Sequence, residues 1–201
     1  MTEKEKMLSG GLYIANDPEL KREFKMSKEF VRKYNITTEE ELELRLELIK
    51  GIFKSVGKNC YIEPPFHCDY GCHISVGDNF YANYDAIIID VNEVIIGDNV
   101  MFGPRVSIYT AGHPIDADIR NELLEYGKKV EIGSNVWVGG NTVFNPGVKV
   151  GNNVVIGSGS VITKDIPSNV VAVGNPCRVL REITDKDREY WQKQKDEYYK
   201  K

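Results

Sequence analysis

Few side chains in this sequence could do acid–base or metal chemistry. The chain has three histidines, and two of them, His67 and His73, lie with Cys68 and Cys72 in the stretch HCDYGCH. The third, His113, stands alone in the segment TAGHPIDADIRNELLEYGKK. An imidazole has an unperturbed pKa of about 6.5, so it is the side chain best suited to take a proton from a hydroxyl group near neutral pH.

The HCDYGCH stretch has the residue types that zinc prefers, but no second ligand pair follows it at the spacing of a zinc finger. The four cysteines, which also include Cys60 and Cys177, form no CxxC pair. We expect free thiols in a reducing compartment and packed or incidental roles for His67 and His73. The sequence therefore predicts no metal site.

Composition narrows the class of protein and its partners. Hydrophobic residues make up 41% of the chain and charged residues 28%, which is typical of a globular domain. The net charge is −4 and the only basic block is at the end of the chain, so nucleic acid is not an expected partner. The beginning, MTEKEKMLSGG, is too charged for a signal peptide and no apolar run could span a membrane. We expect a cytoplasmic protein.

A six-residue repeat dominates the second half of the chain. It reads IGDNVM, FGPRVS, IYTAGH, and after an interruption IGSNVW, VGGNTV, FNPGVK, VGNNVV, IGSGSV. The first position is always apolar, the fifth is a second, smaller inward position, and Gly, Asn, Asp and Ser suited to tight turns lie between them. Such a period fits a solenoid of stacked parallel coils. The first positions are Ile96, Phe102, Ile108, Ile132, Val138, Phe144, Val150, Ile156 and Ile162.

Looser hexads extend the solenoid back to about residue 56, and helices are predicted at both ends. The stretches DPELKREFKMSKEFVRKYN and TTEEELELRLELIKGIFKSV have helical spacing, with Asp17 and Thr38 as candidate N-caps and Pro18 at the first helical position. The predicted domains are a helical cap (1–55), a β-helix (56–183) with an extended loop (110–130), and a C-terminal helix (184–201). His67 and His73 are six residues apart and would lie on different faces of a three-sided coil. A metal site made of three converging histidines is therefore not expected.

The chain resembles the maltose and galactoside O-acetyltransferases, a branch of the hexapeptide-repeat acyltransferases. The resemblance rests on GGLYIANDPEL, NFYANYDAIIIDV, YTAGHPIDADIR, GSNVWVGGNTVFNPGVKVG and VITKDIPSNVVAVGNPCRVLREI, which occur in the family's order and cover nearly the whole chain. It implies a left-handed parallel β-helix, a handedness that the period alone does not decide. It also implies acetyl transfer from acetyl-CoA to a sugar hydroxyl in a ternary complex.

The resemblance assigns roles to individual residues. His113 is implied as the general base, aimed by Pro114, which restricts the preceding residue to extended backbone. The implied acceptor-side residues are Asp17, Asp69, Asn83 and Asp90, and Tyr81 is a further candidate because its ring could stack on a sugar. Asp17 has a plain helix-cap role as an alternative, and Asn83 a place in a solenoid turn. The implied coenzyme A residues are Gly140, Ser158, Thr163, Lys164, Arg178 and Arg181, with no metal required.

A solenoid wall offers little concavity, so one subunit could hardly enclose two substrates. The resemblance implies a homotrimer with its sites between subunits, closed partly by the loop 110–130. Two alternatives remain open at this stage: an acetyltransferase for a non-sugar hydroxyl such as that of serine, a lipo-oligosaccharide or an antibiotic, and a non-catalytic solenoid that serves as a binding module. His113 argues against the second alternative.

Overall fold

The computed structural model describes residues 1–200, so Lys201, the last residue of the predicted C-terminal helix, lies outside the described residues. The structure is mainly β and forms a solenoid of about six turns with helices at both ends, as the hexads predict. The helices are α1 (Glu3–Leu8), α2 (Pro18–Asn35), α3 (Leu42–Ile52), α4 (Ala117–Asn121) and α5 (Asp185–Tyr199). None of the helices within residues 1–200 is long and apolar enough to cross a membrane.

Short strands form the three walls of the solenoid, in parallel sheets of five, five and seven strands, the last of which ends in one antiparallel strand. A separate three-stranded sheet joins β1, β12 and β11. The strands are β1 (Tyr13–Ile14), β2 (Ser55–Val56), β3 (Tyr61–Ile62), β4 (Phe66–Cys68), β5 (Ile74–Val76), β6 (Tyr81–Ala82), β7 (Ala86–Ile89), β8 (Val94–Ile96), β9 (Met101–Phe102), β10 (Ser107–Tyr109), β11 (Ala111–Gly112), β12 (Leu124–Gly127), β13 (Val130–Ile132), β14 (Val136–Val138), β15 (Val143–Phe144), β16 (Lys149–Val150), β17 (Val154–Ile156), β18 (Val161–Ile162), β19 (Val170–Val173) and β20 (Arg178–Glu182).

The inward positions of the hexads form one continuous core. All nine first positions named above are buried, and the fifth positions are buried with them. The fifth positions are Val100, Val106, Val136, Thr142, Val148, Val154 and Ser160. Each strand contributes one or two side chains to the shared axis, so every coil depends on the coils above and below it to bury its apolar surface.

The corners of the solenoid are built by asparagine and glycine. Asn79, Asn99 and Asn135 have φ values of +58°, +54° and +58°, a region that asparagine tolerates better than most residues. Their side-chain amides form a ladder, with Asn79 donating to Asn99 at 2.8 Å and Asn99 to Asn135 at 3.1 Å. A Cβ on Gly77 would lie 2.7 Å from the carbonyl carbon of Gly97 in the next coil. The corner therefore requires a residue without a side chain.

The N-terminal helices close one end of the core. Asp17 is the N-cap of α2, accepting hydrogen bonds from the backbone N–H groups of Glu19 and Leu20, and Pro18 is the first helical residue, as predicted. Tyr34 of α2 is fully buried and donates a hydrogen bond of 2.6 Å to the carbonyl of Ile62 in the solenoid. This bond joins the cap to the first coil.

Thr38 is not the N-cap of α3, which corrects the sequence expectation. The helix begins three residues later than that cap would require, at Leu42, and its N-cap position is Glu41. The Glu41 carboxylate accepts hydrogen bonds from both the backbone N–H and the hydroxyl of Thr38. The side chain of Thr38 therefore donates to Glu41 instead of accepting from a helical N–H group.

The chain leaves the wall of the solenoid once, between β10 and β13. Hydrogen bonds from a backbone N–H to a side chain of the next coil show how many residues one coil contains. The separation is 20 residues between Asp78 and Asp98 and 18 residues between Ser134 and Asn152. The bond between Asp98 and Ser134 spans 36 residues. We call the extra segment, residues 110–129, the excursion. It has the length of roughly one coil, so the walls continue in register on either side of it.

The continuous core gives a prediction about stability. Phe144 is fully buried between the walls, and Phe144→Ala should lower the free energy of unfolding by about 3–5 kcal/mol because it leaves a cavity in a stack that cannot collapse. Val143 precedes it on the same strand and faces the other way, so Val143→Ala should cost at most about 1 kcal/mol. Urea unfolding at one fixed protein concentration measures both, and equal losses would contradict the stacked core.

Candidate active site

The excursion is anchored by the small sheet of β1, β12 and β11. Strand β12 pairs antiparallel with β11 on one side and with β1 of the cap on the other. Tyr13 of β1 is buried and donates a hydrogen bond of 2.8 Å to Glu125 Oε2 of β12. Burial and this hydrogen bond raise the pKa of Tyr13, so its hydroxyl stays protonated as the donor. The cap and the excursion are thus joined directly.

Asn92 connects the same two segments to the wall. It is buried, and its side-chain amide donates to the carbonyls of Met7 and Leu8 at the end of α1 and to the carbonyl of Gly127 in β12, each at 3.1 Å. Its backbone N–H donates to Thr110 Oγ1, at the point where the excursion leaves the wall. One side chain therefore fixes the position of the cap and of the returning strand.

His113 directly follows β11 and is exposed in the single chain. A Cβ on Gly112 would come 2.5 Å from the ring of Tyr126. The absence of a side chain at Gly112 therefore lets the strand pass beneath that ring. Arg120 of α4 donates hydrogen bonds to the carbonyls of Pro114 at 2.9 Å and of Ile115 at 3.0 Å. The backbone on both sides of His113 is thereby held, while its imidazole is left open to a ligand or a neighbouring subunit.

Asp90, which the resemblance places on the acceptor side, lies inside the fold. It is fully buried, and its carboxylate accepts hydrogen bonds from the backbone N–H groups of Asp69 at 3.0 Å, Tyr70 at 2.8 Å and His73 at 3.4 Å. Burial raises the pKa of Asp90 to about 7, although these N–H groups lower it. Asp90 has no exposed surface for a sugar and instead fixes the loop that carries Asp69.

A cleft of about 290 Å³ lies where the cap, the excursion and this loop meet. Asp69 and Glu125 supply its carboxylates, and Asp69 also pairs with Lys28 at 3.3 Å. The aromatic part of the lining is Tyr13, Phe24 and Tyr70, none of which was singled out from the sequence. No local pattern marks them, because they converge only when α2, β1 and β12 pack together.

The other predicted acceptor-side residues lie at different places. Asp17 is half-buried at the start of α2 and caps that helix, the alternative weighed above. Asn83 lies at the corner after β6, where its side-chain oxygen accepts from the N–H of Tyr84 at 2.9 Å. Tyr81 stacks on Tyr61 of the coil below, with ring centroids 6.1 Å apart and an interplanar angle of 4°.

Two of the predicted coenzyme A residues occupy the same corner in successive coils. Gly140 follows β14 and Ser158 follows β17, and the backbone N–H of Gly159 donates to the carbonyl of Gly140 at 2.9 Å. A Cβ on the neighbouring Gly139 would lie 2.5 Å from the backbone nitrogen of Ser158. The corner is therefore tightly stacked, and Ser158 remains exposed on it.

The predicted phosphate-binding residues are all exposed. Thr163 and Lys164 follow β18 at another corner of the solenoid, whereas Arg178 and Arg181 lie on β20. Arg181 forms a bidentate pair with Asp187 of α5, with bonds of 2.8 and 2.7 Å. The three cations and one hydroxyl therefore lie at two places, the corner after β18 and strand β20, and Arg181 already has an anionic partner.

Fold and site together define the class of protein as a hexapeptide-repeat acetyltransferase. Residues 6–57 match the family described as the maltose acetyltransferase hexapeptide capping motif, and residues 129–164 match the bacterial transferase hexapeptide (six repeats). The galactoside O-acetyltransferase of Escherichia coli (strain K12) is 46% identical over 82% of this chain and 81% of its own. The chain belongs to the family of galactoside and maltose O-acetyltransferases.

Two solved structures show the same similarity. A maltose O-acetyltransferase from Clostridium difficile 630 superposes with a TM-score of 0.91 and is 56% identical, over 92% of this chain and 98% of that one. A galactoside acetyltransferase in complex with coenzyme A also gives a TM-score of 0.91, with 43% identity over 94% of each chain. The chain is therefore an acetyltransferase of the galactoside and maltose O-acetyltransferase type.

The contact between Tyr13 and Glu125 gives a prediction about the site. Tyr13→Phe removes the donor and should destabilise β12 by about 1 kcal/mol, so amide hydrogen exchange in Leu124–Gly127 should become roughly fivefold faster. Tyr126→Phe is the matched control, because the Tyr126 hydroxyl forms no hydrogen bond within residues 1–200. Exchange that is equally fast in both variants would show that the bond does not anchor the excursion.

Proposed function

We propose that this protein transfers the acetyl group of acetyl-CoA to a hydroxyl group of a sugar, with His113 as the general base. The observation that carries the proposal is the position of His113 within a segment fixed to both the cap and the wall, in a chain that belongs to an O-acetyltransferase family. A rigid support matters because a general base acts only within hydrogen-bond reach of the proton that it takes.

The proposed reaction proceeds by direct attack. The neutral imidazole of His113 takes the proton of the acceptor hydroxyl as its oxygen bonds to the acetyl carbonyl carbon. The tetrahedral intermediate then collapses, the carbon–sulfur bond breaks, and the proton passes from the imidazolium to the departing thiolate of coenzyme A. The products are the acetyl ester and free coenzyme A, so atoms and charge balance without any other group.

The cysteines support direct transfer over an acetyl-cysteine intermediate. Burial raises the pKa of Cys60 to about 12 and of Cys72 to about 11, and it also raises the pKa of Cys68 and Cys177. A thiol attacks a thioester as the thiolate, so these groups are poor nucleophiles near neutral pH. The four free thiols are also the basis for expecting a cytoplasmic location, where reducing conditions preserve them.

The cleft between the cap, the excursion and the Asp69 loop supports a sugar as the acceptor. Carboxylates such as those of Asp69 and Glu125 accept hydrogen bonds from hydroxyl groups, and the faces of Phe24 and Tyr70 offer apolar surface for the carbon–hydrogen face of a ring. In this proposal Asp69 contacts the acceptor and Asp90 positions Asp69. Asp17 and Asn83 would complete the acceptor side, as the family resemblance implies, and Tyr81 would add a stacking face for the ring.

Coenzyme A is proposed to lie along the stacked corner of Gly140 and Ser158, where small residues let the pantetheine arm approach the backbone. Its phosphates would be bound by Thr163, Lys164, Arg178 and Arg181. Arg181 would then either leave Asp187 for a phosphate or contact both groups at once. The support for this placement is exposure and charge together with the coenzyme A complex of the similar galactoside acetyltransferase.

A homotrimer is proposed because the excursion is too apolar and too open to act alone. Ile115, two residues after His113, is 96% exposed, and Leu123 of the same segment is 69% exposed. On the wall that includes β9 and β14, Met101 and Trp137 are also more than half exposed. A neighbouring subunit that covered these side chains would remove apolar surface from water and enclose His113.

Removing the imidazole tests the general base. His113→Ala should lower kcat for acetyl transfer roughly 10²–10⁴-fold with little change in KM, measured as thiol release from acetyl-CoA with saturating acceptor. His67 is also exposed but lies on β4, two strands from β10 in the same sheet and outside the excursion, so His67→Ala should keep full activity. Unchanged thiol release by the His113 variant would exclude the proposed mechanism.

The same assay distinguishes the acceptor classes. Wild-type protein is given acetyl-CoA with maltose, glucose and galactosides, and in parallel with serine and hydroxylated antibiotics. The proposed cleft predicts turnover with at least one sugar. Acetylation of serine or of an antibiotic alone would favour the non-sugar acceptor, and no turnover with any acceptor would favour a binding module.

Adding a charge to the exposed apolar surface tests the trimer. Wild-type protein should sediment as three chains, and Ile115→Asp should shift it toward monomers and lower activity together, because a carboxylate cannot be buried unpaired at an interface. Ile36, which is 81% exposed at the end of α2, gives the control Ile36→Asp, which should remain trimeric. Wild-type protein that sediments as a monomer would contradict the shared site.

A further inference from the structure

Two buried side-chain atoms within residues 1–200 have no hydrogen-bond partner, Glu23 Oε2 and His73 Nε2. Both belong to one small group: one ligand atom each of Glu23, Cys72 and His73 lie within 4.8 Å of one another. No other three histidine, cysteine or acidic residues of the described chain converge in this way. From this convergence we propose that the protein binds a divalent transition-metal ion of the zinc type between Glu23, Cys72 and His73.

The imidazole of His73 is held with a lone pair free. His73 is 5% exposed, and its Nδ1 lies 2.6 Å from the backbone carbonyl oxygen of Asp90. A carbonyl oxygen can only accept, so Nδ1 carries the proton and the neutral ring has its lone pair on Nε2. Histidine ligands of metals characteristically donate their other ring N–H to a carbonyl or carboxylate, which fixes the ring as it is fixed here.

Glu23 approaches from the opposite side of the gap. It lies on α2, and one of its carboxylate oxygens, Oε1, accepts a hydrogen bond from Lys4, whereas Oε2 is buried and unpaired. The Lys4 contact orients the carboxylate and leaves one oxygen to serve as a ligand. The group therefore brings together helix α2 of the cap and the segment between β4 and β5.

The charges around Cys72 favour a cation. One carboxylate oxygen of Glu23 lies within 4.8 Å of the Cys72 sulfur, so the group contains a negative charge beside the thiol. Lys4 pairs with Glu23 and offsets part of this charge, and Lys54 and Glu93, which pair with each other, line the same cleft. Binding would displace the thiol proton to solvent and leave a thiolate as the ligand.

The spacing fits one ion with a small inward movement. Zinc binds sulfur at about 2.3 Å and nitrogen or oxygen at about 2.0–2.2 Å, so tetrahedral ligand atoms lie roughly 3.5 Å apart. No hydrogen bond joins the three side chains, so none must be broken as they close. The cleft of Lys4, Leu8, Lys54 and Glu93 leaves a fourth position open to water. A single water molecule is the competing occupant, since it could also bridge these polar atoms.

The sequence expectation of no metal site rested on the stretch HCDYGCH and on the separation of its two histidines around the coil. In the structure His67 faces outward on β4, and Cys68 is buried against Ser27, with Sγ 3.4 Å from the Ser27 hydroxyl. These two residues of the stretch take no part. The missing ligand comes from Glu23, nearly fifty residues earlier in the chain, and no local spacing rule could have included it.

Cobalt(II) is the probe, because its bond to a thiolate gives an intense near-ultraviolet band. The full-length protein is treated with a chelator under reducing conditions and titrated with Co²⁺, and Zn²⁺ is then added as a competitor. We expect one ion per chain and a thiolate band that Zn²⁺ abolishes. Zn²⁺ should also raise the temperature of unfolding, because it binds only the folded chain.

Three variants and one control separate this site from nonspecific binding. Cys72→Ser should lose the band, and Glu23→Gln and His73→Asn should weaken binding at least about 100-fold. His73→Asn keeps a donor for the Asp90 carbonyl, and Cys72→Ser, at a half-buried position, carries the test if the His73 variant does not fold. His67→Gln should bind like the wild type.

Two outcomes would overturn the proposal. In the first, the wild type shows no thiolate band and Zn²⁺ leaves its unfolding temperature unchanged, so that the gap holds only water. In the second, the Cys72 and His73 variants bind with the wild-type affinity, so that the metal lies elsewhere. Neither result bears on acetyl transfer by His113, because no step of the proposed reaction uses this ion.

Discussion

The parallel pairing of coils around a shared apolar axis is the constraint on which the rest of this structure depends. Each coil must stack on its neighbour in the same register. Its inward positions therefore carry side chains that pack in the core, and its corners are limited to residues such as Asn79 and Gly77. A wall built in this way is closely packed and has little freedom to vary. The candidate acceptor cleft and His113 therefore depend on two segments outside the wall, the cap and the excursion.

These two departures from the wall support each other. Tyr13 of the cap donates to Glu125 of the excursion, and Asn92 of the wall donates to both segments. The candidate cleft exists only because they meet there, and His113 extends from the same small sheet. Loops without such contacts would be mobile, and a catalytic group on a mobile loop would spend most of its time out of reach of its substrate.

The parts that the sequence predicts well are those with a local signature. The six-residue period predicts the walls because every coil obeys the same pattern, and Asp17 with Pro18 predicts the start of α2 because helix caps are local structures. The contact between Tyr13 and Glu125 spans 112 residues, so no period or spacing rule contains it. Asp90 shows the same limit, because its burial and its contacts with the backbone of the Asp69 loop depend on distant packing that no local pattern contains.

Asp90 also links the two sites that the structure suggests. Its carboxylate accepts from the N–H of Asp69, at the candidate acceptor cleft, and its backbone carbonyl accepts from the ring of His73, at the proposed metal site. Because a buried carboxylate with several backbone partners has few alternative positions, a shift of His73 would be resisted at Asp69 as well. An ion between α2 and His73 would hold the cap and this loop at a fixed separation. No step of the proposed reaction uses this ion, so its role in the proposal is to stabilise the packing of the cap against this loop.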